Sequence, residues 1–385
     1  MDITVGYKTL QYAFGFDDVS IVPSRETRDP DECDVSMELG GHKFALPVIA
    51  SAMDGVVDVK FAHAMGKLGG LAVLNLHGLQ TRYEDPQSVI AKILESAPEA
   101  TTKVIQGLYR EPIKEELVSK RVQEIKAGGV ITAVSSIPQD AEHFGALARD
   151  AGADLFVIQS TVTSACHVSS KHKVLDLAKF CASFELPVIV GNCVSYDVAM
   201  DLMRAGAAGI LVGIGPGAAC TTRGVVGIGV PQITATLEVA HARNDFEKES
   251  GRRVAVITDG GMRKGGEICK AFASGADAVM LGSPFAGTEE APAKGHHWGM
   301  ATSHPSLPRG TLVRVGVRGS LENVLLGPAK VDDGSQNLVG SLQSAMGLCG
   351  AADIKAFHNA RLVISSSFMS EGKMLQATQR VGMAR

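Results

Sequence analysis

A chain of 385 residues, 45% hydrophobic and 20% charged with a formal charge of −4, has the size and balance of one large globular domain or two small ones. It carries no basic surplus of the kind that meets nucleic acid, and no apolar run of about 18 residues to span a membrane. The start Met1-Asp-Ile-Thr-Val-Gly6 has neither the charged nor the apolar region of a secretion signal, so a cytoplasmic location is expected.

Along the chain, one pattern recurs. A helix-like segment closes on small residues and glycine, and four to six apolar residues follow. The pattern runs through Lys67-Leu-Gly-Gly-Leu-Ala-Val-Leu74, Ala127-Gly-Gly-Val-Ile-Thr-Ala-Val134, Ala151-Gly-Ala-Asp-Leu-Phe-Val-Ile158, Ala205-Gly-Ala-Ala-Gly-Ile-Leu-Val212 and Ser274-Gly-Ala-Asp-Ala-Val-Met-Leu281. Glycine supplies the left-handed residue that ends each helix, and a short continuous apolar run is what a strand buried on both faces looks like. With Pro47-Val-Ile-Ala-Ser51, Pro187-Val-Ile-Val-Gly191 and Arg253-Val-Ala-Val-Ile-Thr258 there are eight such strands. Eight alternating units in about 250 residues predict a single (β/α)8 barrel. A doubly wound sheet shares the local pattern, but the strand count and the lack of GxGxxG after the first strand disfavour it.

Barrel enzymes place their chemistry after the C-terminal ends of the strands. The polar candidates fall there: Ser51, Met53 and Asp54 after the first strand, Asn75 after the second, Gln159, Ser160 and Thr161 after the fourth, Asn192 after the fifth, Asp259 after the seventh, and Gly282-Ser283 after the eighth. After the sixth comes Gly213-Ile-Gly-Pro-Gly-Ala-Ala-Cys-Thr-Thr-Arg223, a loop poor in side chains that ends on one cysteine. Such a loop lets backbone amides approach a phosphate and backbone carbonyls a cation, while the two hydroxyls and the guanidinium can hydrogen-bond a substrate or favour a thiolate at Cys220. Gly260-Gly261 and Gly282-Ser283 can face one anion, and Asp259 is placed to accept hydrogen bonds from ribose hydroxyls. The seven cysteines are odd in number and lack metal-ligand spacing, which fits a reducing compartment and argues against a disulfide framework or zinc.

The loop, continuing through Gly224-Val-Val-Gly-Ile-Gly-Val-Pro-Gln-Ile-Thr-Ala235, resembles the catalytic loop of the IMP dehydrogenase and GMP reductase family. Phe16-Asp-Asp-Val-Ser-Ile-Val-Pro23, Val48-Ile-Ala-Ser-Ala-Met-Asp54, Gly191-Asn192, Thr258-Asp-Gly-Gly261, Leu281-Gly-Ser283 and Ala286-Gly-Thr-Glu-Glu290 match family motifs in the family's order. The resemblance spans nearly the whole chain and is weakest between Gly295 and Asn337. It implies Cys220 as the thiolate that attacks purine C2, with Thr222 handling water or ammonia there. It implies substrate contacts from Ser51, Asn192, Asp259, Gly261, Gly282, Ser283, Gly299 and Met300, and a cofactor side formed by Gln159, Ser160, Thr161 and Gly213. Potassium would be held by the carbonyls of Gly215, Gly217 and Cys220, with Glu371 and Gly372 contributed by a neighbouring subunit, which implies a homotetramer or homo-octamer. The implied reaction is NAD-dependent oxidation of IMP to XMP through a covalent thioimidate. The alternatives are reduction of GMP with NADPH through the same adduct, and a non-catalytic nucleotide-binding paralogue.

Departures from the family pattern are also legible. The paired CBS modules usually inserted after the second barrel helix are absent, and only Glu99 to Lys126 stands there. With this layout and Ser303-His-Pro-Ser-Leu-Pro-Arg-Gly310, the chain most resembles a CBS-free, dehydrogenase-related subfamily. Tyr-Arg-Gly-Met-Gly-Ser is replaced by His297-Trp-Gly-Met-Ala-Thr302, and the flap (295–337) is shortened and has no Arg-Tyr pair to activate water. Pro-Glu-Gly becomes Pro308-Arg-Gly310, which makes Arg309 the candidate base, with His296, His297 and His304 as other proton carriers. Ala218 stands where a phosphate-binding serine is usual. Gln159 replaces an acid, and a neutral site there rejects the extra phosphate of NADP less strongly. The tail (365–385) is expected to be a disordered terminus, with its apolar residues packing near the flap or a neighbouring active site as the alternative.

Overall fold

A computed structural model of the protein describes residues 2–170, 173–301, 304, 306–307, 309–365 and 373–382. Eight parallel strands close on themselves: β1 Val48–Ala50, β2 Leu71–Asn75, β3 Ala133–Ser136, β4 Leu155–Gln159, β5 Val188–Cys193, β6 Gly209–Val212, β7 Ala255–Asp259 and β8 Ala278–Leu281. Neighbouring strands pair in sequence order, and Val279 of β8 pairs with Val48 of β1 to shut the ring. This is the (β/α)8 barrel expected from the sequence. Each apolar run divides by alternation. Ile49, Leu71, Val73, Leu155, Val157, Ile189, Leu211, Ile257 and Met280 fill the barrel interior, whereas Ala50, Leu74, Phe156, Ile158, Val190, Val212, Val256 and Leu281 belong to the layer under the helices. The helix-closing glycines take the left-handed backbone the pattern requires, with φ of +91° at Gly69, +99° at Gly152, +107° at Gly206 and +105° at Gly275.

The third strand differs from expectation. It begins at Ala133 rather than Val130 and ends on Ser135 and Ser136, both buried. Asp154 fixes this start, its carboxylate accepting from the Thr132 amide at 2.8 Å. A hairpin, Met37–Leu39 with His42–Phe44, plugs the N-terminal end of the barrel, joining Met37, Leu39 and Phe44 to the interior core. Val19–Val22 pairs antiparallel with Arg361–Ile364, tying the early chain to its late part. Where the family carries its inserted modules, two helices stand instead, Pro98–Leu108 and Glu115–Ala127. The flap contains a two-stranded ribbon, His296–Trp298 with Leu312–Arg314. No helix among the described residues is long and apolar enough to cross a membrane.

The outer layer holds a costly charge. Arg243, 1% exposed in the helix Gln232–Ser250, pairs with Asp277, which also accepts from Arg253 at 2.7 Å and from the Val256 amide at 2.9 Å. Removing one partner of a buried pair leaves an uncompensated charge. Arg243→Ala is therefore expected to destabilise the fold by about 3 kcal/mol, read as a drop of about 4 °C in melting temperature. A shift of less than about 1 °C would show that Arg253 alone satisfies Asp277.

Candidate active site

The C-terminal ends of the strands surround one cavity of about 690 Å³. Its nucleophile is presented by a backbone that only glycine permits. Gly213 leaves β6 with φ +141°, and a Cβ there would lie 2.6 Å from the Asp259 carbonyl. Gln232 joins the ends of β6 and β7, its Nε2 donating to the carbonyls of Val212 and Asp259, both at 3.1 Å. The loop then delivers Cys220, whose thiol is exposed and donates to Thr222 Oγ1 at 3.2 Å; Thr222 itself is buried in the first turn of the helix Thr222–Val226. Arg223 is anchored by carbonyls, Nε to Ile214 at 3.0 Å and Nη2 to Val230 at 2.6 Å, so its cation is held at a fixed place beside the loop. Three other cysteines are unsuited to this work: burial pushes the thiols of Cys193 and Cys269 up to about 12 and that of Cys181 up to about 11.

Asp259 ends β7 inside a neutral network. Its Oδ2 accepts from Asn192 Nδ2 at 2.8 Å and from Gln159 Nε2 at 3.1 Å, and Gln159 also donates to Asn192 Oδ1 at 3.2 Å. Burial lifts the Asp259 carboxyl to about 6, a rise that the Asn192 hydrogen bond only partly opposes. Three strands thus hold one carboxylate, with no cation partner among the described residues. Gln159, expected on the cofactor side, lines the cavity with Ser160 and Thr161 and hydrogen-bonds Asp259 from there.

A second side of the cavity is built from Ser51, Gly260, Gly261, Gly282 and Ser283. Gly260 and Gly261 have φ of +79° and +83°, a backbone path that brings amides close with no side chain over them. Ser283 Oγ shares a hydrogen bond with His297 Nε2 at 2.9 Å. Burial, with His296 adding to it, drives His297 down to about 4, so the ring is neutral near pH 7. A third side carries Asn75, His77, Ser135 and Ser136 with Ser160 and Thr161. His77 Nε2 meets Ser136 Oγ at 3.0 Å, and burial pushes this imidazole also to about 4 despite Asp140 at 3.8 Å.

The structure therefore brings together Ser51, Gln159, Ser160, Thr161, Asn192, Gly213, Gly215, Gly217, Cys220, Asp259, Gly261, Gly282, Ser283, Gly299 and Met300 around one cavity, with Thr222 directly behind Cys220. Arg309 stands apart from the lining. Its carbonyl accepts from Gln106 Nε2 at 3.1 Å, and its side chain lies within range of the like charge of Arg82. Glu371 and Gly372 lie outside the described residues. Sequence reasoning passed over His77, Tyr109, Ser135, Ser136, Gln232 and Trp298 as lining residues. His77 and the two serines carried a usable signal, since they follow or end barrel strands; Tyr109, at the end of a helix, carried none. Among the described residues, no group of three or more His, Cys, Asp or Glu side chains stands together to hold a metal ion.

Comparison with known proteins agrees with this geometry. The model of the IMP dehydrogenase / GMP reductase domain matches residues 13–374. The chain is 41% identical to an uncharacterized oxidoreductase of Mycolicibacterium smegmatis, covering 93% of this chain and 98% of that one. It is 30% identical to the inosine-5'-monophosphate dehydrogenase of Borreliella burgdorferi, over 94% and 97% of the two chains. The crystal structure of an IMP dehydrogenase/GMP reductase-like protein from Corynebacterium glutamicum superposes with a TM-score of 0.88 at 37% identity, covering 94% and 97%. A shared barrel alone would leave the chemistry open. The family model and identity of this depth run over nearly the full length, and the chain belongs to the IMP dehydrogenase/GMP reductase family of oxidoreductases.

Proposed function

We propose that the protein is an NAD-dependent IMP dehydrogenase acting in the cytoplasm as a homotetramer or homo-octamer. The observation that carries this reading is the exposed Cys220 thiol, backed by Thr222, in the same cavity as the buried Asp259 carboxylate. Asp259, with one carboxylate oxygen committed to Asn192 and Gln159, keeps the other for ribose hydroxyls. Gly261, Gly282 and Ser283 face the phosphate, and Gly299 and Met300 meet the base. Ala218 contributes no hydroxyl, so phosphate binding is weaker by about 1 kcal/mol than with a serine there. The Cys220 sulfur bonds to C2 of the purine. Loss of hydride from C2 then restores the C=N bond and leaves a thioimidate.

When bound, NAD supplies the hydride acceptor. The residues present fit it: Ser135, Ser136, Asn75, Ser160 and Thr161 offer neutral hydroxyls and an amide to a nicotinamide riboside. Potassium also fits. A hard monovalent cation takes oxygen donors, and the loop that carries Gly215, Gly217 and Cys220 would supply it with backbone carbonyls. The Gly217 carbonyl accepts the Cys220 amide at 3.0 Å and retains a second lone pair. Such an ion would fix the shape of the loop that carries the nucleophile.

The test is a pair of assays on the purified protein in potassium buffer. NADH formation from IMP and NAD, without NADPH consumption with GMP, is expected. NADPH consumption with ammonia release would assign the chain to the reductase reaction, and tight nucleotide binding with neither reaction would leave a binding paralogue.

A further inference from the structure

One corner of the cavity is unused by that reaction. Asp54, 2% exposed just after β1, accepts the Leu79 amide on Oδ1 at 2.7 Å and the phenol of Tyr109 on Oδ2 at 2.5 Å. Trp298 Nε1 donates to the same phenol oxygen at 2.9 Å. All three residues line the cavity, and they come from three distant segments: the end of β1, the helix standing where the family's insertion would be, and the flap ribbon.

The trio is held from outside. A Cβ on Gly78 would lie 2.1 Å from Asp54 Oδ1, and one on Gly55 would lie 2.7 Å from the His296 carbonyl and 3.3 Å from the Trp298 ring. The Arg82 guanidinium lies 5.7 Å from the centre of the Tyr109 ring, anchored on the carbonyls of His77 and Glu111. A phenol has one proton and two lone pairs. The Tyr109 proton goes to Asp54 and one lone pair receives Trp298, which leaves the second lone pair without a protein partner among these contacts. Gly299, next to Trp298, lies against Ala219, next to Cys220; a Cβ on it would be 3.6 Å from the Ala219 carbonyl. The ribbon that reaches the phenol thus also borders the nucleophile's loop.

We propose that Tyr109 and Asp54 together accept the proton of the water that releases the product from Cys220. This rests on the dehydrogenase reading. As the water oxygen bonds to C2 of the thioimidate, its proton passes to the free lone pair of Tyr109 Oη while the phenol's own proton moves to Asp54 Oδ2. The C=N electron pair shifts to the ring nitrogen, which takes the remaining hydroxyl proton as C=O forms, and the C–S bond breaks with its electrons returning to sulfur. Asp54 later yields its proton to solvent. Burial raises the carboxyl of Asp54 and holds the Tyr109 phenol well above its ordinary range, so the phenol relays a proton without ionising and the carboxylate is a stronger acceptor than an exposed one. Trp298 and Arg82 are positioning residues.

The experiment mixes IMP and NAD rapidly with wild-type protein and with Tyr109→Phe, which keeps the ring and removes only the hydroxyl. It reads the NADH burst, the steady-state rate and, after acid quench, the mass of the Cys220 peptide. For Tyr109→Phe the expectation is a burst of full amplitude, a steady-state rate lower by at least about 10²-fold, and nucleotide accumulated on Cys220; Asp54→Asn should behave alike. An unchanged steady-state rate would overturn the relay. So would burst and steady state falling together without adduct, the mark of a structural role. A wild-type protein that makes no NADH from IMP would instead remove the dehydrogenase reading, and the relay with it.

Discussion

Cys220→Ala is expected to lower turnover by on the order of 10³-fold or more while changing nucleotide affinity only a few-fold and the melting temperature by no more than a degree or two. The two halves of this expectation have separate causes. The thiol forms the bond through which the reaction proceeds, and no other side chain in the cavity is a comparable nucleophile near pH 7. Yet the side chain is exposed, its contact is one sulfur–hydroxyl hydrogen bond to Thr222, and the surrounding loop is shaped by glycine backbone rather than by the cysteine. Changes at such positions cost within about 0.5 kcal/mol. Affinity can be followed through the protein's single tryptophan, because Trp298 lines the cavity and its fluorescence should respond to an entering purine. Loss of binding together with turnover would mean that Cys220 shapes the site instead of reacting in it.

The barrel was legible because each strand is buried on both faces. Runs such as Leu155–Gln159 and Ala278–Leu281 have no polar side, and the glycine before each is forced by a left-handed helix end that tolerates little else. The site was legible for a related reason: a barrel strand bears few polar residues until it emerges at the top, so Asn192, Asp259 and Ser283 announce themselves by position. What escaped the sequence depends on long-range contact. Val19–Val22 becomes a strand only because Arg361–Ile364 lies beside it, and the N-terminal hairpin Asp2–Val5 with Lys8–Gln11 is exposed and lacks a buried face to give it a pattern. Gln159 reads as a replaced acid facing a cofactor, but its amide is satisfied by Asp259 and Asn192, groups 100 and 33 residues away. Tyr109 reaches the cavity from a helix whose own buried face is at Thr101 and Ile105.

Asp259→Asn should separate stability from function more sharply than any other change in the site. In the wild-type fold the carboxyl sits near 6, above the 3.8 of an exposed aspartate. The folded protein therefore holds this proton more tightly than the unfolded chain, so the group's contribution to stability is fully present below about pH 4 and is lost as pH rises through about 6. Near pH 7 the fold carries a half-buried charge with no cation partner among the described residues, which costs about 1–2 kcal/mol. The isosteric amide removes that cost and retains an oxygen for the hydrogen bonds from Asn192 and Gln159. The variant's melting temperature is accordingly expected to exceed wild type by about 1–2 °C at pH 7–8, with the gap closing as pH falls toward 4. Nucleotide binding moves the other way: a charge-assisted hydrogen bond to the ribose contributes about 1.5–3 kcal/mol, so affinity should fall roughly 10- to 150-fold. In the wild type, affinity should strengthen as pH rises through about 6, where the carboxylate ionises, and the variant should lose that dependence. Melting curves and fluorescence titrations at matched pH decide the matter. A variant less stable than wild type at pH 7.5, or one whose affinity keeps the same pH profile, would show that Asp259 is held by contacts stronger than its burial penalty, or that another group governs nucleotide binding.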